Sequence, residues 1–244
     1  MTHLLQVGGL SKSFGGVWAL KDLSLHQDSG ETLGMIGPNG SGKTTFINLV
    51  TGHLAVDRGE VLLDGKDIRG RSAHAIALSG LVRTYQAVRV YGALSVSDNL
   101  RIAALPHYRR LDWLNPLEGS EALLARLQLD NRKETTAGSL TLFEQRRLEL
   151  AMRLVSQPKL LMLDEPVGGL NPGEIREMIQ VLKELRSECS LFVIEHTMKV
   201  IMELADRVVV LVSGEMIANG APAAILQDAN VVRHYLGSIR VTNR

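Results

Sequence analysis

The chain has one cysteine, Cys189, in 244 residues, and a lone thiol cannot close an intramolecular disulfide. It stands just before the apolar run Leu191-Phe192-Val193-Ile194, so it reads as a structural thiol, and a reducing cytoplasm fits. Charge of one sign is equally scarce. With 27 Lys+Arg against 26 Asp+Glu, interspersed, the formal net charge is +1, which leaves no electrostatic footprint for a polyanion and argues against a nucleic-acid partner. No apolar run approaches the length of a bilayer span, and Met1-Thr-His-Leu-Leu-Gln lacks the basic segment and continuous apolar stretch of a secretory signal. The expectation is a soluble or peripheral protein. Its length and 45% hydrophobic content suffice for one large core or two intimately packed ones.

The first part of the chain is strand-rich. Leu4 to Val7, Leu23 to His26, Leu33 to Ile36 and Val61 to Leu63 are short segments bounded by glycine or polar turns, which predicts a mixed or antiparallel sheet. From Val96 to about Val155 the pattern turns helical, interrupted by a loop with Pro106, Trp113 and Pro116 and then by the polar stretch Asp130 to Ser139. Lys159 to Leu163, Ser190 to Ile194 and Val208 to Val212 are apolar strands separated by helical segments, the alternation expected of a parallel sheet covered by helices. With no internal repeat and no long hydrophilic linker, the organisation reads as one α/β core with an inserted helical subdomain.

Gly37-Pro38-Asn39-Gly40-Ser41-Gly42-Lys43-Thr44-Thr45 fits G-x-x-x-x-G-K-[ST], between a buried strand pattern, Glu31 to Ile36, and a helical one, Lys43 to Val50. Three glycines in six positions let backbone N–H groups converge on phosphate oxygens, and the following helix points its positive end at the same anion. Lys43 adds charge at the β- and γ-phosphates, and Thr44 offers a hydroxyl to Mg²⁺. A nucleoside triphosphate is the expected ligand.

Leu160-Leu-Met-Leu-Asp164-Glu165 is an apolar strand ending in two carboxylates, where ligands of parallel sheets bind. Asp164 is placed to hold Mg²⁺ through water, and Glu165 to polarise a water for in-line attack on the γ-phosphate. His196, after the strand Leu191 to Ile194 and Glu195, would emerge at the same edge and contact the γ-phosphate. Gln86, after the short strand Leu81 to Tyr85, enters the helical insert; its amide either reports Mg²⁺ or γ-phosphate to that subdomain or is a polar turn residue. Phe14, flanked by glycines, is a candidate to stack on a base, with core packing the alternative and Trp18 the rival.

With these residues in order, the chain resembles the nucleotide-binding subunit of ATP-binding cassette (ABC) transporters over nearly its whole length. Gly37 to Thr45 match the Walker A motif, Gln86 the Q-loop, Leu160 to Glu165 the Walker B strand with its catalytic glutamate, Gly168-Gly-Leu-Asn171 the D-loop, His196 the switch histidine and Phe14 the base-stacking aromatic. More narrowly, Arg83-Thr-Tyr-Gln86, Gly169-Leu-Asn-Pro172, Glu195-His196-Thr-Met198 and Leu204 to Leu211 look like the ATPases of branched-chain amino-acid importers; relatives handling urea or lipids share parts of this pattern.

The resemblance implies a P-loop NTPase fold, an α/β core with an antiparallel β subdomain and an α-helical subdomain at about 87–156, in one domain over 1–236 with a tail at 237–244. It implies ATP and Mg²⁺ as ligands, with Lys43, Gln86, Glu165 and His196 catalytic, Thr44, Gln86 and Asp164 toward the metal, and a peripheral place on the cytoplasmic face of the membrane. Membrane permease subunits would dock near 87–100, where Val88, Val90, Tyr91 and Leu94 form either a partner surface or ordinary subdomain packing. A substrate-binding protein outside the membrane would act indirectly. Two ATPase subunits would sandwich two ATPs, each site pairing one chain's Walker motifs with the other's signature.

That signature, Leu-Ser-Gly-Gly-Gln in its commonest form, here reads Leu140-Thr141-Leu142-Phe143-Glu144-Gln145. Thr141 keeps a hydroxyl for γ-phosphate, but Phe143 is expected to crowd the phosphate and Glu144 to repel it. Thr141-x-x-Glu144 before a helical run is also a capping box, so the helix can start without phosphate. A heterodimer with a partner carrying an intact signature is favoured, a homodimer whose variant loop still offers its backbone N–H being the alternative.

Overall fold

The computed structural model describes residues 3–105 and 116–236. Pro106, Trp113 and the tail 237–244 lie outside the described residues. A four-stranded antiparallel sheet forms first, from β1 (Leu5–Phe14), β2 (Val17–Gln27), β4 (Arg58–Leu63) and β5 (Lys66–Asp67), in the order β2-β1-β4-β5. β1, with 10 residues, and β2, with 11, are more than twice as long as their alternation suggests. Register shifts between Val7 and Leu10, Leu10 and Lys12, and Lys12 and Ser13 break the period of two, so the polar, glycine-containing half of β1 does not read as strand. Phe14 therefore closes β1 at a hairpin tip turned by Gly15-Gly16.

The second sheet has the order β10-β9-β3-β8-β7-β6, with β3 (Thr32–Ile36), β6 (Leu81–Arg83), β7 (Leu160–Asp164), β8 (Ser190–Ile194) and β9 (Arg207–Val212) parallel and β10 (Glu215–Gly220) antiparallel at the edge. Its parallel strands are buried on both faces, and successive residues divide between two cores. Leu33, Met35, Leu160, Met162, Phe192 and Ile194 face the antiparallel sheet and α1 (Lys43–Val50), where the Phe46 and Phe192 rings stack at 5.2 Å. Ile36, Leu161, Leu163, Leu191 and Val193 face the helical layer. Cys189 is buried there too, its thiol pushed up to about 11 by burial, as a structural thiol requires.

The helical insert comprises α3 (Val96–Ala104), α4 (Pro116–Arg126) and α5 (Leu142–Leu154), with two 3-10 turns in the polar stretch before α5. Pro116 opens α4 rather than lying in the loop, since the first turn of a helix tolerates a missing N–H. No helix among the described residues is long and apolar enough to cross a membrane.

Candidate functional site

Because β3, β8, β7 and β6 are parallel neighbours, the residues that follow each strand share one sheet edge. The chain continues the ladder past the strand ends, Glu165 N–H donating to Ile194 C=O (2.9 Å) and Glu195 N–H to Met35 C=O (3.3 Å), which fixes the spacing of these carboxylates. A cleft of about 330 Å³ opens at this edge, lined by Asn39 to Thr45, Ala19, Gln86, Asp164, Glu165 and Ile194. Two glycines are dictated by close approach. A Cβ on Gly37, at φ +156°, would stand 2.0 Å from Leu211 C=O, and one on Gly42, at φ +108°, 2.4 Å from Ala19 C=O. The second contact seats the β1–β2 hairpin directly on the phosphate loop.

Lys43 is buried, and its ammonium donates to the carbonyls of Gly37 (2.7 Å) and Pro38 (3.0 Å) and to Ser41 Oγ (3.5 Å), bracing the loop it belongs to. Burial lowers its pKa, opposed by the charges of Glu165 and Asp164. Thr44 is exposed within the cleft.

Asp164 Oδ2 pairs with Arg83 Nη2 at 2.9 Å, and Arg83 Nη1 also reaches Asn48 Oδ1 at 2.6 Å. The sequence reading gave Arg83 no role of its own. Burial pushes the Asp164 carboxyl up, with Glu165 adding to the rise and Arg83 and Lys43 opposing it. Glu165 adopts a left-handed φ of 52°, an uncommon conformation for a residue with a side chain. Its carboxylate accepts from Gln86 Nε2 (3.0 Å) on one oxygen and lies 3.6 Å from His196 Nδ1 on the other. Gln86 is thus hydrogen-bonded to Glu165, with His196 standing beside the pair.

Glu195 was also missed. It is fully buried and accepts the N–H groups of Val167 (3.2 Å), His196 (3.2 Å) and Thr197 (3.4 Å), tying the chain after β7 to the chain after β8. Burial raises its pKa against those bonds. The available signal was the same one that marked Asp164 and Glu165, a carboxylate directly after an apolar strand.

Phe14 (48% exposed) and Trp18 (44% exposed) both stand at the hairpin outside the cleft, with Lys12 Nζ 5.5 Å from the Phe14 ring. Of the segment 87–100, Tyr91 is exposed but Val90 packs against the core, so it is only in part a free surface.

Thr141 caps α5 as the spacing predicts: its hydroxyl accepts Glu144 N–H (3.3 Å) while Glu144 Oε2 accepts Thr141 N–H (2.9 Å). Phe143 corrects the expectation placed on it. Its ring turns into the core under the Arg147 guanidinium, 3.9 Å away, and crowds nothing at the surface. The residue exposed there is Leu142, beside Gly169. Glu144 is not a free charge: Arg132 Nε bonds it at 2.9 Å, and although burial pushes its carboxyl up, the Thr141 and Arg132 bonds bring it below the ordinary value.

Residues 20–168 match the family model described as ABC transporter. BraF of Pseudomonas aeruginosa, a high-affinity branched-chain amino acid transport ATP-binding protein, is 36% identical over 96% of this chain and 98% of its own. LivG of Escherichia coli K12, which carries the same description, is 37% identical over the same shares. The lipopolysaccharide export system ATP-binding protein LptB of Escherichia coli K12 is 32% identical over 96% and 97%. Among solved structures, the ADP conformation of MJ1267, an ATP-binding cassette of an ABC transporter, superposes with a TM-score of 0.87 and 28% identity over 97% of this chain and 100% of that one. A family model spanning more than half the chain, and relatives that cover nearly all of it, establish that this chain belongs to the ABC transporter family.

Proposed function

We infer that this chain is the ATP-hydrolysing subunit of a multi-subunit importer of branched-chain or related amino acids. The observation that carries the catalytic part is Glu165 at the phosphate-loop cleft, hydrogen-bonded to the Gln86 amide and with His196 Nδ1 3.6 Å away. Glu165, held by the Gln86 amide, polarises the attacking water; His196 contacts the γ-phosphate; the backbone of Gly37 to Thr45 and the Lys43 ammonium hold the phosphates, exchanging loop carbonyls for phosphate oxygens. Phe14 stacks on the base. Thr44, Asp164 and Gln86 offer the hard oxygen donors that suit Mg²⁺. When bound, the ion would neutralise charge on the β- and γ-phosphates.

The reading extends to one nucleotide-binding domain over 1–236 with its helical subdomain at about 87–156, peripheral on the cytoplasmic face and docked through 87–100 on a separate permease. A second ATPase subunit completes each site. A heterodimer is the preferred form, the ground now being exposed Leu142 rather than Phe143. The descriptions of BraF and LivG support amino-acid import, and that of LptB supports a second reading, lipid export.

Reconstitution tests the choice. The chain, co-expressed with its permease and placed in vesicles with the binding protein, should accumulate radiolabelled leucine in an ATP-dependent manner. Absence of uptake from a complex that hydrolyses ATP would sink the amino-acid assignment.

A further inference from the structure

α5 contains one residue that its surroundings do not explain. Leu148, Leu150, Ala151 and Met152 are core residues, yet Glu149 between them is a carboxylate only 1% exposed. Burying that charge is costly, so something must use it. Its partners lie on a different element. Glu149 Oε1 accepts the backbone N–H of Arg89 at 3.3 Å, the backbone N–H of Tyr85 faces the same carboxylate, and Arg153 Nη2 stands 3.7 Å away. These two amides bracket Gln86. Side chains reinforce the clamp, with the Arg83, Arg89 and Arg153 guanidiniums 4.6, 4.0 and 5.8 Å from the centre of the Tyr85 ring.

We propose that Glu149 is a positioning residue for Gln86: it pins the turn 85–89 to α5, so that the amide facing Glu165 and the helix carrying Thr141 keep one geometry. The proposal rests on the reading of Gln86 as catalytic. The same helix reaches a third motif, Arg146 Nη2 donating to Gly168 C=O at 2.6 Å. α5 therefore ties the turn before the helical insert to the segment after the Walker B strand, and Glu149 is its tie to the former.

The experiment uses the assembled transporter. Glu149→Met keeps volume and removes the acceptor, whereas Glu149→Gln retains one acceptor oxygen. A loosened Gln86 should lower kcat about tenfold in the Met variant while KM for ATP stays within about twofold, with Gln restoring kcat to within about threefold. Combined with Gln86→Ala, the Met substitution should add no further loss, because both act through one amide. Full activity in Glu149→Met, or losses that multiply in the double variant, overturns the proposal. Wild-type turnover in Gln86→Ala alone would instead discard the reading of Gln86. Hydrogen exchange on the unmodified protein decides in that event, or if the Met variant does not fold: the Arg89 amide, bonded to Glu149, should exchange as slowly as the interior of α5, and exchange at the rate of neighbouring exposed loop amides overturns the clamp.

Discussion

Arg83 and Asp164 form a buried ion pair, Nη2 to Oδ2 at 2.9 Å, with side chains 6% and 8% exposed. The pair joins the end of β6 to the end of β7 and fixes the carboxylate that faces the phosphate loop. Arg83→Met leaves Asp164 and Asn48 without that partner, and breaking a buried pair from one side costs about 3–5 kcal/mol. Urea unfolding measures this. Lys should not rescue it, because its single nitrogen cannot span the positions from which Arg83 Nη2 meets Asp164 and Nη1 meets Asn48.

Glu195 makes stability depend on pH in a defined direction. Burial raises its folded pKa above the ordinary 4.5, so the folded state binds the proton more tightly than the unfolded chain. Its charge costs stability above the raised pKa, and the cost fades as pH falls, vanishing below 4.5. The stability of wild type relative to Glu195→Gln should therefore rise between pH 7 and pH 4.5. Urea unfolding of both at several pH values checks the sign.

At the signature, Phe143→Ala should destabilise by about 3–5 kcal/mol, because a buried ring is lost from the core. Thr141→Ala removes the cap and should cost about 0.5–2 kcal/mol. Leu142→Gly costs only about 1 kcal/mol in helix propensity, and it should raise hydrolysis in the assembled complex if exposed Leu142 crowds the opposing site. Unchanged hydrolysis would count against the heterodimer.

Gly37→Ala tests the close approach at the phosphate loop. A Cβ cannot remain 2.0 Å from Leu211 C=O, so the loop must move. ATP affinity, measured by titration calorimetry, should fall by at least about tenfold, the loss of roughly one charge-assisted hydrogen bond.

The sequence made the sheet edge legible because Asp164, Glu165, His196 and Gln86 lie at or just beyond the ends of apolar strands and Lys43 follows the loop after another, and strand order then brings them together. It hid what pairs only through tertiary structure. Arg83 follows two apolar residues in β6 and Glu149 sits between Leu148 and Leu150 in α5, and nothing local says that one meets Asp164 and the other the turn 85–89. Phe143 was misread for a related reason. Comparison with a glycine at that position says where the backbone lies, but the direction of the ring is set by helical phase, which turns it toward Arg147 and the core.

The most direct test of the account is Glu165→Gln in the assembled complex, with ATP binding and hydrolysis measured on the same preparation. Glutamine keeps the size of the side chain and removes its capacity to act as a base. Hydrolysis should fall by about 100-fold or more, the usual range for loss of a positioned base, while ATP still binds and the closed dimer accumulates on gel filtration. Wild-type hydrolysis in that variant would contradict the assignment of Glu165 and with it the catalytic role given to the Gln86 amide bonded to it and to His196 beside it.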